Sequence, residues 1–389
     1  MSFVQIGALA EKVQTWDPRQ SSDNREIDYI DIGSVSRETK SIELISKIRA
    51  KGAPSRARQL VRPGDILVST VRPNLNAVAE VPLNLDGATA STGFTVLRPI
   101  RGKLDSKYLY YWVRTPEFIR KMLSRSTGAN YPAVSDAIVK ESTIPLPPLE
   151  EQKRIAAILD KADAIRKKRK QAIELTEKFL RSAFLDMFGD PITNPKGWDV
   201  STINNIAEQV TDGEHQTPKR TSQGIKLLSA RNVRDGHIDF GNVDYIGVKE
   251  HERIKRRCNP SRGDILISCS GTIGRVASVE TDEPFSLVRS AALVRPKSTL
   301  ISHKFLEHHL RTPALKAIML RKANSSSQAN LFQNKIRELP VFLPPIDLQN
   351  KFAHIAITAA KSTAMLESAS SQLDMLFFST QQRAFQGEL

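Results

Sequence analysis

The sequence predicts a mixed α+β chain built twice over. Two β-rich domains with mixed cores are separated by an antiparallel pair of long coiled-coil helices with pseudo-two-fold symmetry. Three observations carry this: an internal repeat at a nearly constant offset, short strand-like runs between turn residues in each half, and two long helical stretches sharing one apolar seam.

Arg114-Thr115-Pro116 returns as Arg311-Thr312-Pro313, an offset of 197 (311 − 114), with an aliphatic residue, Val113 or Leu310, before each. Leu146-Pro147-Pro148-Leu149 returns as Leu343-Pro344-Pro345-Ile346 at the same offset, and Gln152 falls on Gln349. Gly64-Asp65-Ile66-Leu67 returns as Gly263-Asp264-Ile265-Leu266, now 199 on (263 − 64). A tripeptide matches cheaply by chance, but three matches in one order at nearly one offset mark a duplication.

The plan in each half is therefore the same. Residues 1–148 form the first β-rich domain, with strands such as Asp65–Val68 and Phe94–Leu97 between Gly, Pro and Asn turns. Paired prolines then break regular structure and favour a helix start. Residues 149–190 form a central helical repeat, 191–343 the second β-rich domain, and 344–389 a C-terminal helical repeat. No Pro or Gly interrupts Glu150 to Met187, where Ile155, Ile158, Ala162, Ile165, Ala172, Phe179 and Ala183 recur at helical spacing, broken by Arg169 and Thr176. The same offset gives Phe352, Ile355, Ala359, Leu366, Ala369, Leu373 and Leu376, with Ser362 and Thr380 in the seam. The helix-pair contact is expected at Ile155, Ile158, Ile165, Phe179, Phe352, Ile355, Leu366 and Leu373. Packing of each helix on its own domain alone is the alternative. If the helices pair, chain connectivity makes them antiparallel, and about 38 residues span roughly 57 Å.

Composition narrows the class. The 389 residues are 40% hydrophobic and 25% charged, ordinary globular values. No apolar run approaches the roughly 20 residues of a membrane span, and Met1-Ser2-Phe3-Val4 does not start like a signal peptide. Cys258 and Cys269 are too few for a disulfide framework or a Cys-rich zinc site. A cytoplasmic, metal-free protein is expected. Lys and Arg number 57 against 42 Asp and Glu, a net +15 that attracts polyanions, nucleic acid above all, though an acidic partner would also fit.

Leu146-Pro147-Pro148-Leu149-Glu150-Glu151-Gln152 with its basic helix resembles the central repeat of type I restriction-modification specificity (S) subunits, the HsdS family. Phe188 to Trp198 resembles that family's junction into its second target-recognition domain, and Arg383 to Leu389 its terminus. Gly64 to Asn74 and Gly263 to Gly274 are similar to two variants of its target-recognition core. The resemblance spans nearly the whole chain. It implies two target-recognition domains, each reading one half-site of a bipartite, asymmetric double-stranded DNA target, with the helices as spacer. It also implies two modification subunits that bind S-adenosylmethionine and methylate adenine, and restriction subunits that use ATP, so neither cofactor belongs to this chain. One departure stands out: Ile346-Asp347-Leu348-Gln349 replaces a Glu-Glu-Gln run, and that helix is less basic, so the two docking surfaces are expected to be unequal.

Chemistry of its own is not expected. Both Pro-Pro pairs are flanked by Leu or Ile, which cannot grip an amino group as an Asn-Pro-Pro-aromatic motif does. No Gly-x-x-x-x-Gly-Lys-Ser/Thr loop is present. Ser270-Gly271-Thr272-Ile273-Gly274 lacks the lysine of a phosphate cradle and reads as a turn near DNA. Asp212-Gly213-Glu214-His215 reads as loop polarity rather than a nuclease site, and His303, His308 and His309 do not share one helix face.

DNA is expected at loops. In the first domain Lys51, Arg56, Arg58, Arg72, Asn74 and Asn76 lead, with Asn130 and Tyr131 beside them. The second domain offers His215, Thr217, Lys219, Arg220, Arg231, Asn232, Arg234, Ser270, Thr272 and Arg275. Lys255-Arg256-Arg257 reads as phosphate grip, and the amide-rich Asn324 to Asn330 as a further loop. Two other functions remain open: a stand-alone DNA-binding regulator, and the detached recognition part of another methyltransferase or nuclease.

Overall fold

Turn residues cut each half into strands of two to six residues, and the two halves assemble the same sheets. The computed structural model describes residues 2–128, 130–323 and 329–389. They form unit 1, Met1–Gln171 with Ser368–Leu389, and unit 2, Ala172–Glu367.

In unit 1, β2 (Ala10–Glu11), β9 (Phe94–Pro99), β6 (Ile66–Ser69) and β7 (Val78–Glu80) make a four-stranded sheet in that order. A second sheet orders β4 (Ser46–Arg49), β3 (Glu26–Ile30), β8 (Thr89–Ser91) and β5 (Ala57–Leu60), with β3 parallel to β8. β1 (Phe3–Gln5) pairs with β10 (Thr143–Pro145), and α1 (Ser106–Trp112), α2 (Pro116–Ser124) and α3 (Asp136–Glu141) complete the domain. Unit 2 repeats the scheme. β12 (Ala207–Asp212), β19 (Ala291–Pro296), β16 (Ile265–Ser268) and β17 (Val276–Ser278) form one sheet. β13 (Arg220–Thr221), β15 (Asp244–Ile246), β14 (Ile225–Leu228) and β18 (Phe285–Leu287) form the other, with β14 parallel to β18. β11 (Val200–Thr202) pairs with β20 (Pro340–Phe342); the helices are α5 (Ile203–Ile206), α6 (Val248–Lys255), α7 (His303–Leu310), α8 (Pro313–Lys322) and α9 (Gln333–Arg337).

The repeated motifs are structural, and each does the same task twice. Gly64 (φ 85°) and Gly263 (φ 88°) take the left-handed turn that an L side chain would strain. The following Asp65 and Asp264 are buried and accept two hydrogen bonds each from Arg98 (2.8 and 2.6 Å) and Arg295 (2.8 and 2.7 Å). Ile66 and Leu67 then point to opposite faces of the sheet and enter separate cores, as do Ile265 and Leu266. Thr115 and Thr312 cap α2 and α8, whose first residue is the motif's proline.

The Leu-Pro-Pro segments lead into α4 (Leu149–Phe188, 40 residues) and α10 (Ile346–Gln386, 41 residues), each of which contributes to both units. One glutamine anchors each helix. Gln152 accepts from Asp105 N (2.9 Å) and donates to Lys103 O and Pro147 O (3.1 and 2.9 Å). Gln349 accepts from Ser302 N (2.9 Å) and donates to Leu300 O and Pro344 O (3.3 and 2.8 Å). In unit 1 the two helix segments run antiparallel: Arg154 donates to Leu389 O (2.8 Å) and Arg166 to Asp374 (2.5 Å), one index rising as the other falls. Arg166 also lies 4.5 Å from the Phe377 ring centroid, and Phe377, Ala384 and Phe385 enter the unit 1 core. In unit 2, Phe352 meets Phe184 and Phe188 at 5.3 and 5.6 Å.

The packing line differs from the expected seam. Ile155 and Phe352 are buried, and Ile158, Ile355, Leu366 and Leu373 half-buried, but Ile165 and Phe179 are exposed (47% and 57%). The line follows Ile155, Leu159, Asp163 and Arg166, since a 3.6-residue turn drifts off a strict seven-residue repeat. Asp163 holds an inward place because Arg114 pairs with it (3.3 Å), with Arg166 and Lys167 beside it (3.3 and 3.2 Å). Ile155 and Phe352 sit in the cores of their own units, so the helices both pack on the domains and meet each other.

No helix among the described residues is long and apolar enough to cross a membrane.

Candidate nucleic-acid interface

In unit 2 the β16–β17 connection, Ser270 to Arg275, faces the short helical turn at Ala230–Asn232. Between them lies a cleft of about 380 Å³, lined by Arg231, Arg234, Ser270, Gly271, Thr272, Arg275 and Ser290. Five residues expected at DNA from separate stretches of sequence are thus brought together. Backbone bonds fix the walls: Arg275 N donates to Ser268 Oγ (2.9 Å), Cys269 N to Ser290 O (2.8 Å) and Ala230 N to Ser290 Oγ (3.0 Å). Arg231 is held by Asp244 (3.3 Å) and Arg234 by Asp239 (3.7 Å), while Arg275 has no ion pair among the described residues. The hydroxyls of Ser270 and Thr272 and three guanidinium groups give the cleft donors and positive charge.

Asn232 stands apart and corrects the expectation that placed it at DNA. It is buried; its Oδ1 accepts from Ser229 N (3.0 Å), and its Nδ2 donates to Asp239 O and Asn242 O (3.0 and 2.9 Å). Nothing of the amide is left for a base, because Asn232 closes a capping box with Ser229. The counterpart in unit 1 is Asp31 with Ser34.

His215 and Arg220 are also engaged. Asp212 accepts from Gln333 and Arg257 (2.5 Å each), and His215 Nε2 lies 3.0 Å from it. That network uses Asp212 as an acceptor and ties Arg257, expected at a phosphate, to a loop contact. Arg220 pairs with Asp244 (3.1 Å). Thr217 and Lys219 are exposed. Of the amide-rich loop, residues 324–328 lie outside the described set.

In unit 1 the β6–β7 connection carries Arg72, Asn74 and Asn76, with Arg72 and Asn76 in left-handed conformations (φ 50° and 45°). A non-glycine residue pays to sit there, and here the neighbours impose it. Arg72 N donates to Pro132 O (2.7 Å), and Val134 N to Thr70 O (2.9 Å). The Arg72 guanidinium stacks 4.4 Å from the Tyr131 ring centroid, and Tyr131 is 66% exposed. Asn130 and Asn74 are exposed beside them. Arg56 is exposed, and its carbonyl accepts from Thr92 N (2.8 Å).

Asn76 turns out otherwise than expected, and Arg58 is engaged within the protein. The Asn76 side chain faces inward, its Nδ2 3.4 Å from Val113 O and its Oδ1 buried without a partner among the described residues. Lys40, missed in the sequence, braces that loop by donating to Asn76 O; burial, and secondarily Arg114, pull its ammonium down to about 8. No local pattern marks a lysine 36 positions away as a loop brace. Arg58 pairs with Asp17 (2.7 Å), and Arg19 and Arg58 hold that carboxyl far below the usual range. Lys51 is exposed, its backbone N bonded to Asn24 (3.0 Å).

The remaining reactive residue types have structural roles. Burial pushes both cysteine thiols up to about 12, so neither is a thiolate near neutral pH. His303 meets Glu280 (3.5 Å), His308 packs on Phe352 (5.0 Å) and His309 lies 3.1 Å from Pro340 O; the three diverge.

The model of the type I restriction modification DNA specificity domain matches residues 2–175 and again residues 195–371. The chain belongs to this family. The two matched segments each contain one Gly-Asp turn, one Thr-capped helix and one Leu-Pro-Pro helix start, so the family domain is the duplicated piece. Among similar proteins, the type I restriction enzyme EcoBI specificity subunit of Escherichia coli is 22% identical over 317 residues, 74% of this chain. The chain spans a little under two thirds, 66%, of that relative's length. The fold is shared with a solved type I restriction-modification system S subunit from M. genitalium (TM-score 0.61, 15% identity, 99% of this chain and 96% of that one). A chain from a structural study of the assembly and conformational transition of the type I R-M system is similar too (TM-score 0.59, 23% identity, 100% and 98% covered). The specificity-domain family thus accounts for the paired mixed domains and the long helices.

Proposed function

We propose that this chain is the DNA-recognition subunit of a type I restriction-modification complex, reading a bipartite, asymmetric target with one half-site per unit. Residues 1–148 and 191–343 are the target-recognition domains, and 149–190 and 344–389 the helical spacer. It directs two modification subunits, which carry S-adenosylmethionine, to methylate adenine, and restriction subunits, which use ATP, to cleave. The chain itself is a non-catalytic, cytoplasmic adaptor. One observation carries the reading: an identical frame of Asp–Arg and Gln–backbone bonds supports loops of different composition in the two units. A frame repeated under divergent loops suits two different half-sites on one scaffold. The loop residues Arg56, Arg72, Asn74, Asn130 and Tyr131 serve one half-site, and Arg231, Arg234, Ser270, Thr272 and Arg275 the other. Lys51, Thr217 and Lys219 add flanking contacts.

The test is co-expression with the modification subunits followed by sequencing of methylated adenines. A single split motif, lost when this chain is omitted, is the expected result. Methylation by the purified chain alone, or sequence-specific regulation without partners, would overturn the assignment.

A further inference from the structure

The three arginines of the unit 2 cleft are not repeated at their equivalent positions in unit 1, where Arg72 is the arginine of the β6–β7 connection. The capping boxes Asp31–Ser34 and Ser229–Asn232 set the equivalence, which puts Gly33 opposite Arg231 and Ser36 opposite Arg234. Ser69 N donates to Ala77 O as Ser268 N donates to Arg275 O (2.9 Å each), so Ala77 is opposite Arg275. The arginine pattern of the unit 2 cleft is therefore not a repeated feature of the fold.

Its shape also matters. Base edges are recessed in a groove and are reached by protruding side chains. A phosphodiester is a convex, anionic ridge, and it fits a concavity of about 380 Å³ walled by arginines and hydroxyls. Arg231 and Arg234 are pre-oriented by Asp244 and Asp239, while Arg275 forms no ion pair among the described residues.

We propose that this cleft seats one backbone phosphate of the DNA, with Arg275 and Arg231 as the gripping residues, and so positions unit 2 without reading sequence. This rests on the proposed DNA recognition but assigns these residues to anchoring rather than to base choice. Unit 1, with no such cluster at the equivalent positions, contributes less of the electrostatic grip there.

Binding of the full chain to duplex DNA, measured against salt concentration, tests it. Arg275→Ala is expected to lower the slope of log affinity against log salt by about one, as loss of one phosphate contact does. Affinity should fall for all sequences alike, and the preference among half-sites, measured with the modification subunits present, should not change. A duplex with single phosphates replaced by neutral methylphosphonates provides a readout on the unaltered protein. Affinity should drop at one linkage beside the half-site of unit 2, and Arg275→Ala should lose nothing further at that linkage. A variant that changes base preference while keeping the salt slope, or that changes neither, would overturn the phosphate seat. Absence of any sequence preference in the complex would instead overturn the proposed function, and the slope remains readable on any duplex.

Discussion

At the scale of single residues, the buried amides of Gln152 and Gln349 are fully matched by backbone partners, and the matches foretell what substitution costs. Gln152→Ala and Gln349→Ala each strand several buried backbone groups, and each is expected to destabilise its unit by about 2–4 kcal/mol. Denaturant melts of the full chain would measure this. His309 carries a pH prediction. Its Nδ1 is buried without a partner among the described residues, and burial holds the ring down to about 4. Because the folded value lies below the ordinary 6.5, the unfolded chain takes up the proton first. Stability is therefore complete above pH 6.5 and falls as pH drops through the window toward 4, by about 3 kcal/mol for this ring. His308, also held to about 4, acts in the same direction. Acid unfolding followed by circular dichroism should begin below pH 6.5, and His309→Gln should move the midpoint lower; an unmoved midpoint would refute the assignment.

At the scale of elements, α4 and α10 show how a polar residue can hold an inward position. Asp163 and Arg166 lie on the packing line because Arg114 and Asp374 are placed to receive them. The apolar residues Ile165 and Phe179 are consequently displaced to the surface. Substitution separates the two kinds of position. Phe352→Ala, which empties an aromatic cluster, is expected to cost about 3–5 kcal/mol. Phe179→Ser should stay within about 0.5 kcal/mol of the parent in the same melt.

At the scale of the molecule, both long helices continue from one unit into the other, so a change in their length acts on both units at once. Insertion of about four residues, one turn, into each is expected to lengthen the unread gap of the proposed bipartite target by roughly one or two base pairs. Methylated-site sequencing of a host carrying the lengthened chain would show this directly. A target with its gap unchanged would remove the spacer role from the helices.

The duplication, the strand-rich domains and the two long helices were legible in the sequence because turn residues, helical periodicity and repeat offset are local properties of the chain. The repeated motifs were legible too, but their task was not. Asp65 and Asp264 are buried ion-pair partners, a fact that depends on Arg98 and Arg295, 33 and 31 residues away. The candidate site was legible only as residue type. Exposed arginines on loops could be named, but Asn232 differs from a base-reading asparagine only in having a serine and two carbonyls around its amide. Arg231, Arg234 and Arg275 came to line one cleft, and Asn76 turned inward, when folding brought distant segments together. Local sequence determined the elements; which side chains are spent on the protein's own backbone, and which remain free for a ligand, was decided by tertiary contacts, because a hydrogen bond uses up a donor wherever its partner lies in the chain.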